Sequence, residues 1–342
     1  MKHSRLTVLA AATTVAALSL SACSAGSTEP TATDSTELTE VSVITSNPFS
    51  VIQYYGLYLL GVDQGFFADE GIDPVFQEGN GSTTSAQVIA AGNADFGINI
   101  GVVAVINNDD QGAGLKLVAR DAPIASYAVV SLDAQITDPD DLVGKTIGLP
   151  QGTTQALLWD SFLAAADVDP SAVATVNLSP ANATQALAQG QVDGIVTYSS
   201  AAVPALASLG EDDPSVLSFS DYGITIEPDS GVVTTDALIE SDPDLVTHFV
   251  AAVEKSIAYA VEHPDEIYAA GAARYDSSFD EDVIAAQADI ADQTFLDYTA
   301  DGSSYTALDL DALDNTLEIL RAGGVITSTS DASAYATDEF VP

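Results

Sequence analysis

Short apolar segments of strand length alternate with apolar stripes at helical spacing through the first part of the chain. The clearest strand is Val41-Ser-Val-Ile44, which alternates and then runs into the turn at Asn47-Pro48. The predicted strands are 41–44, 72–77, 95–100 and 115–119, and the predicted helices are 54–65 and 83–91. Strands that alternate with helices at this spacing are typical of a parallel sheet with helices on its faces.

The same pattern starts again after residue 144. Strands are predicted at 145–149, 174–178 and 193–198, with one helix over 155–166 and another that begins at Pro180, a favoured first helical residue. The second series follows the first at an offset of roughly 100 residues. The chain therefore predicts two similar α/β units in succession.

A short sequence pattern occurs twice, 98 positions apart. Residues 87–98 read QVIAAGNADFGI, and residues 185–196 read QALAQGQVDGIV. The central glycine of each copy suits the position just after a helix end, where a positive φ is needed. We interpret Asp95 and Asp193, three residues later, as structural groups that cap or brace the helix–strand turn. Two similar lobes indicate a cleft between them.

The chain becomes helical after residue 222. Asp242-Pro243 supplies a helix cap and a first helical residue, and apolar residues then recur at helical spacing as far as His263. Further helices are predicted from Pro264, over 280–292 and over 309–323. The leucine stripe of the last helix is expected to pack back on the first lobe.

The first 23 residues have the pattern of a secretion signal. A basic start precedes an apolar run at 6–20 that is too short to span a bilayer comfortably. The ending Leu20-Ser-Ala-Cys23 resembles the bacterial lipoprotein box, in which the cysteine becomes the lipidated N-terminus; the alternative is a secreted protein in which Cys23 is incidental. Residues 24–40 are rich in Ser, Thr, Pro and acids. We expect a signal peptide at 1–22, lipid attachment at Cys23, a flexible tether at 23–40, and a body held at the extracytoplasmic face of the cell membrane by the lipid anchor alone.

The charge balance is extreme: 8 Lys and Arg residues face 50 Asp and Glu residues, for a formal net charge of −42. This excludes nucleic acid as a partner, because phosphate recognition needs clustered cations. The acidity is typical of a heavily solvated surface, such as that of a chain adapted to salt. The alternative, an acidic patch that attracts cations, has no clustered ligand pattern in the sequence.

The inventory of reactive side chains argues against an enzyme. Cys23 is the sole cysteine, so the fold has no intramolecular disulfide, and the histidines are His3, His248 and His263. Neither a nucleophile–histidine pair nor a metal site can be assembled from two distant helical histidines. We expect no catalytic residue, no metal and no cofactor.

Several motifs resemble those of a known family in its order along the chain. They are GFFADEGI at 65–72, AGNADFG at 91–97, DPDDLVGKTIG at 138–148, PQGT at 150–153, QGQVD at 189–193, and SDPDLV at 241–246 followed by HPDE at 263–266. The chain resembles, over residues 41–324, the ABC-transporter solute-binding proteins of the nitrate/sulfonate/taurine and thiamine-pyrimidine-precursor type.

The resemblance implies a two-lobed periplasmic-binding-protein fold of type II. Its mixed, mainly parallel sheets carry helices on both faces, and two crossovers, placed near 123–130 and 222–233, hinge the lobes. Lobe one is then 41–125 plus 230–330, and lobe two is 128–222. The implied role is capture of a small molecule by domain closure, as a monomer that delivers it to an ABC permease with its ATPase.

Ligands of open α/β sheets bind at the carboxyl ends of strands, which selects candidate residues in both lobes. They are Ser46, Asn47, Asn80, Gly81, Ser82, Asn99 and Arg120 in lobe one, Gln151, Thr153, Thr154, Asn177 and Tyr198 in lobe two, and Tyr54 and Tyr55, on which a flat ligand would stack. Loop residues of this type also occur in ordinary turns, and the tyrosines also suit a core. Arg120 either pairs an anionic ligand or forms an internal salt bridge.

The scarcity of cations and the tyrosine pair favour a flat, uncharged heteroaromatic ligand, such as a thiamine pyrimidine precursor or riboflavin. A sulfonate, taurine or nitrate is the alternative, because helix N-termini bind such anions without Lys or Arg. Two other classes stay open: a pyrimidine-biosynthesis-type enzyme, whose cysteine-rich run is absent here, and a sensor or adhesin on the same fold.

Overall fold

The computed structural model describes residues 38–49, 56–133, 135–274, 281–300 and 302–342. The predicted signal peptide, Cys23, the tether, Tyr54 and Tyr55 all lie outside these ranges. Residues Glu37–Pro342 form a single compact unit that contains two five-stranded sheets.

The first sheet has the strand order β2-β1-β3-β10-β4. Its strands are β1 (Thr39–Thr45), β2 (Ile72–Gln77), β3 (Phe96–Gly101), β4 (Leu115–Ala122) and β10 (Ser230–Thr235). The helices between them are α1 (Gly56–Asp63), α2 (Phe66–Asp69), α3 (Ser82–Ala90) and α4 (Val102–Asp109). We call this sheet and these helices lobe one. β10 runs antiparallel between β3 and β4, whereas β2, β1 and β3 are parallel.

The second sheet repeats this arrangement with the order β7-β6-β8-β5-β9. Its strands are β5 (Tyr127–Ser131), β6 (Thr146–Pro150), β7 (Ala174–Leu178), β8 (Gly194–Tyr198) and β9 (Ser215–Ser218). Its helices are α5 (Thr154–Leu157), α6 (Trp159–Ala165), α7 (Ala183–Ala188) and α8 (Ser199–Ser208). We call this part lobe two. β5 runs antiparallel between β8 and β9, in the place that β10 takes in lobe one.

In the described residues after β10 the helices are α9 (Asp236–Ser241), α10 (Pro243–Glu262), α11 (Glu266–Arg274), α12 (Glu281–Tyr298) and α13 (Leu310–Ala322). α10 packs on α1 in lobe one, and its cap is Asp242, whose carboxylate accepts the Leu245 N–H at 3.1 Å. α12 packs on α8 of lobe two as well as on α10 and α11. The stripe of α13 is buried at Leu313, Leu317 and Leu320, but it lies against α6 of lobe two, so the expected packing on lobe one is incomplete.

The predicted fold class is confirmed, while several elements were not predicted, among them β5, β9, β10, α4 and α8. β5 and β10 fall where the sequence was expected to supply only crossovers, and each becomes an inner strand of a sheet. α4 was not predicted, because the run at 100–106 is apolar on every side and lacks a helical stripe. The predicted lobe boundaries stay a prediction. Within the described residues, no helix combines the length and apolarity needed to cross a bilayer.

The duplicated aspartates brace corresponding places in the two lobes. The Asp95 carboxylate accepts the Ser42 N–H at 2.8 Å and the Ser42 hydroxyl at 2.6 Å, and so links the start of β3 to β1. The Asp193 carboxylate accepts the Thr146 N–H at 2.7 Å and links β8 to β6 in the same way. The predicted structural role of both aspartates is confirmed.

Candidate functional site

A cavity of about 170 Å³ lies between the lobes, next to the segments that connect β4 to β5 and β9 to β10. The ends of β3, β4 and β8 contribute to it, together with α1, α8 and α12. The lining residues are Leu57, Asn99, Asp121, Ala122, Pro123, Ile124, Ser126, Tyr198, Ser200, Ala201, Asp229, Gln287, Ile290 and Thr294. The cavity thus occupies the strand-end position at which open α/β sheets bind ligands.

Asp121 is the first of two buried acids in the cavity wall. Its carboxylate accepts hydrogen bonds from the Tyr58 hydroxyl at 2.5 Å, the Asn99 N–H at 2.6 Å and the Ser230 hydroxyl at 2.6 Å. These donors come from α1, β3 and β10, so the carboxylate ties three elements to β4. Burial raises the pKa of Asp121, and the hydrogen bonds oppose that rise.

Asp229 is the second acid and lies just before β10. Its Oδ1 accepts the Tyr127 hydroxyl at 2.7 Å and the Tyr198 hydroxyl at 3.2 Å, while the part of the chain that the structure describes brings no donor to Oδ2. Desolvation raises the pKa of Asp229 to about 7, against the two tyrosine hydrogen bonds, and the charge of Asp121 adds to the rise. The carboxyl is therefore poised to exchange a proton near neutral pH.

No cation balances these acids across the cavity. The described ranges contain the cations Lys116, Arg120, Lys145, Lys255, Arg274 and Arg321, none of which lines it. Lys255 pairs with Glu70 and Arg274 with Asp63, both on the surface of lobe one. Nor does any group of three or more His, Cys, Asp or Glu residues in the described ranges have an arrangement that could hold a metal ion. The cavity is acidic and apolar.

The lobes also touch each other directly at a second place, which we call the seam: Gly81, Thr83 and Gly101 of lobe one against Gly152 and Thr154 of lobe two. The Thr83 N–H donates to the Gly152 carbonyl at 3.1 Å. Gly81 has a φ of +100°, and a Cβ built on it would lie 2.5 Å from the Gly152 carbonyl oxygen. This backbone contact is possible only without a side chain, so the structure has a closed cleft.

The structure separates the predicted ligand residues into groups. Asn99 and Tyr198 line the cavity, and Ser46 and Asn47 lie behind Asn99. The Ser46 hydroxyl donates to Asn99 Oδ1 at 3.2 Å and accepts Asn47 Nδ2 at 2.7 Å. This hydrogen-bonded chain holds the Asn99 side chain, which belongs to a residue with a positive φ of 54°.

The glycine- and threonine-rich loops meet each other instead of lining the cavity. The predicted residues at or beside the seam are Gly81, Ser82, Thr153 and Thr154. Those on the exposed rim are Asn80, Gln151 and Asn177, where Gln151 Nε2 donates to Asn177 Oδ1 at 2.9 Å. The closed cleft places these loops against each other at the seam.

Arg120 lies on the other face of the sheet from the cavity. Its Nε donates to the Tyr305 carbonyl at 2.9 Å, and its Nη2 donates to the Ser304 carbonyl at 3.0 Å. Successive residues of a strand point to opposite faces, so a cavity that receives Asp121 cannot also receive Arg120. Arg120 was expected to lie with the other candidate ligand residues. The structure places the next residue, Asp121, in the cavity wall instead.

Sequence reasoning missed the acids and Gln287. Asp121 could have been predicted from the sequence. It follows Arg120 directly after the predicted strand 115–119, so either side chain could be the one that faces a ligand at the strand end. Asp229 and Gln287 carried none: the first lies in a segment expected to be a crossover, and the second in a helix expected to face a core. Their role depends on how distant segments meet.

The amino-acid sequence can also be compared with known proteins. The sequence profile of the family described as "NMT1/THI5 like" matches residues 52–267, more than half of the chain. The chain belongs to this family. The NMT1/THI5-like region covers the whole of lobe two, most of lobe one and both crossovers. It therefore contains every described residue that lines the cavity, except the three on α12.

Two relatives of this NMT1/THI5-like protein, and one protein of similar fold, are named as binding proteins. The riboflavin-binding protein RibY of Chloroflexus aurantiacus is 26% identical over 303 residues, which is 83% of this chain and 82% of that protein. The formylaminopyrimidine-binding protein of Halalkalibacterium halodurans is 24% identical over 210 residues, 60% of this chain and 62% of that protein. The alkanesulfonate-binding protein SsuA of Xanthomonas axonopodis pv. citri, bound to MOPS, has a TM-score of 0.66 at 15% identity and covers 88% of this chain and 99% of that one. This last likeness concerns the fold alone.

Proposed function

We propose that this protein is the substrate-binding component of an ABC importer and that it captures a small, one-ring nitrogen heteroaromatic in the cavity between its lobes. The observation that carries the proposal is the pair of buried acids, Asp121 and Asp229, in a cavity wall without a cation. The named binding functions of the relatives support the general role, and the chemistry of the cavity selects among their ligands.

Anionic ligands fit this cavity poorly. A sulfonate or nitrate enclosed there would lie among apolar side chains and two carboxyls, and burying a charge without a counter-charge is strongly unfavourable. No Lys or Arg of the described residues lines the cavity, and Arg120 donates to backbone carbonyls on the other face of the sheet. The partial positive charge at the N-terminus of α8 would have to offset the anion against both carboxyls. A ligand that donates hydrogen bonds instead gains from the same acids.

The size of the cavity favours a single ring. A dry cavity of roughly 150 Å³ in another protein holds benzene, and the cavity here measures about 170 Å³. A three-ring riboflavin exceeds this volume. Riboflavin stays the second candidate because RibY matches over most of both chains, and it would require a wider closed state.

The rest of the proposal concerns location and partners. We propose that Cys23 carries the lipid anchor on the extracytoplasmic face of the membrane. The body then works as a monomer that closes on its ligand and docks on a permease served by an ATPase. Binding without turnover is the role proposed for the site, in keeping with the relatives that are named as binding proteins.

A thermal-shift panel tests the proposal. The chain without its signal segment is titrated with 4-amino-2-methylpyrimidine, riboflavin, taurine, an alkanesulfonate and nitrate. We expect the aminopyrimidine to raise the unfolding temperature in a concentration-dependent way, because a ligand that binds only the folded state stabilises it. A shift with sulfonates or nitrate alone would contradict the proposed ligand class, and no shift with any compound would contradict the transport role.

A further inference from the structure

We propose that Asp229 Oδ2 and Gln287 Oε1 recognise the ligand, which binds through an N–H-bearing edge that shares one proton with Asp229, as a protonated aminopyrimidine does. This inference rests on the proposed function and specifies the chemistry of the same site. Both residues line the cavity, and they come from distant parts of the chain: the segment before β10 and helix α12.

Gln287 lines the cavity and carries an acceptor that no described residue uses. Its side chain is 7% exposed, and its Oε1 is buried without a hydrogen-bond partner in the described structure. The Nε2 group donates to the Ala201 carbonyl at 2.8 Å. A carbonyl only accepts hydrogen bonds, so Ala201 keeps the amide in this orientation and leaves Oε1 for a ligand donor. A buried acceptor without a partner is unfavourable until a ligand supplies one.

Asp229 presents a second acceptor, or a proton, in the same cavity. Two tyrosine hydroxyls occupy its Oδ1, so a proton bound by this carboxyl resides on Oδ2. The neutral acid offers an O–H donor at Oδ2, and the ionised acid offers a strong acceptor there. An aminopyrimidine matches either state, because its ring nitrogen accepts a proton and its amino group donates a hydrogen bond beside it.

Among the titratable groups in contact with Asp229, Asp229 itself is the one that we expect to gain or lose a proton near neutral pH. Tyr127 from β5 and Tyr198 from β8 donate to it, and Asp121 from β4 acts on it through its charge. Burial and the charge of Asp229 raise the pKa of Tyr127 well above its usual value, so this tyrosine stays protonated. Asp121 is held by three donors of its own and repels a second negative charge.

The proton balance gives a defined pH dependence. The complex contains one proton shared by the ring nitrogen and Asp229 Oδ2, whichever partner brought it. The pKa of Asp229 in the free protein is raised to about 7 by burial. Above this pH both free partners have lost the proton, so binding must take one up from solvent. Affinity then falls about tenfold for each further pH unit.

The test measures binding by calorimetry between pH 7 and pH 9 for two rings of equal size, 4-amino-2-methylpyrimidine and 2-methylpyrimidin-4-one. We expect the wild-type chain to bind the amino ring at least tenfold more tightly at pH 7, and to lose about 100-fold in affinity by pH 9. Asp229→Asn should bind it at least tenfold more weakly at pH 7, with no pH dependence.

Glu227→Gln is the matched control, because Glu227 lies in the same segment and burial raises its pKa to about 7 as well, but it does not line the cavity. It should bind like the wild type at every pH. Equal affinity for the two rings, a flat wild-type pH profile, or unchanged binding by Asp229→Asn would each overturn the inference while leaving the proposed function in place. If neither ring binds but a sulfonate does, the proposed function fails as well.

Discussion

Replacing Gly81 with alanine is expected to weaken ligand binding by up to about 100-fold while both lobes stay folded. The added Cβ would lie 2.5 Å from the Gly152 carbonyl oxygen and 2.9 Å from its carbonyl carbon. Both contacts are with backbone, so no side-chain rotation relieves them. Overpacking of this kind costs up to ~3 kcal/mol, and this penalty applies only to the closed cleft. Ligand binding has to offset it before the cavity can form.

The measurements are calorimetric affinity and the radius of gyration in solution with and without ligand. Gly92→Ala is the matched control, since Gly92 also has a positive φ, of 71°, but a Cβ built there meets nothing within 4 Å. It tests a positive φ without the seam contact and should close and bind normally, whereas Gly81, at φ 100° and ψ 145°, lies close to a backbone region that essentially only glycine adopts. If Gly81→Ala and Gly92→Ala bind equally well, closure does not depend on the seam.

Asp229→Asn is expected to stabilise the ligand-free protein at pH 8.5 by up to ~4 kcal/mol. Burial raises the pKa of Asp229 from 3.8 to about 7, so the folded state binds this proton more tightly than the unfolded chain does. The associated stability is fully present below about pH 4 and is lost as the pH rises towards 7. Above that pH the wild type holds an ionised, desolvated carboxylate, whereas asparagine is neutral throughout.

The check is the free energy of unfolding in urea at pH 4 and pH 8.5. The difference between variant and wild type should be large at pH 8.5 and small at pH 4. Glu227→Gln is the comparison, with a smaller effect because Glu227 is about half buried and solvent screens its charge. A variant that is less stable than the wild type at pH 8.5 would show that the tyrosine hydrogen bonds outweigh desolvation.

The prediction for Asp229 describes a trade-off between stability and binding. The buried acid that lowers the stability of the empty protein is the group proposed to bind the ligand, and sites of this kind often give up stability for function. The buried Oε1 of Gln287, which has no partner among the described residues, also lowers the stability of the ligand-free protein. A ligand with two N–H donors would relieve both.

The duplicated architecture could be predicted because its signals are local. The glycine after each helix and the aspartate that follows it act within one turn and on the neighbouring strand. Gly92 and Gly190 have the expected positive φ values of 71° and 65°, and Asp95 and Asp193 accept from corresponding strands. Periodicity and turn chemistry carry this information without knowledge of the rest of the fold.

The site was only partly predictable, because it depends on contacts between distant segments. Strand-end reasoning found Asn99 and Tyr198, but it chose Arg120 where the strand register turns Asp121 towards the cavity. The glycine loops were expected to contact the ligand, and the closed cleft packs them on each other at the seam. Gln287 reaches the cavity because α12 bridges the lobes, which a helical stripe alone does not reveal.

A crystal structure of the chain with 4-amino-2-methylpyrimidine tests the central claim most directly. The account predicts one ring in the cavity between the lobes, its N–H edge within hydrogen-bond distance of Asp229 Oδ2 and Gln287 Oε1, and the Gly81–Gly152 contact intact. A ligand bound between the 79–82 and 151–154 loops, with the seam open and Asp229 untouched, would contradict it.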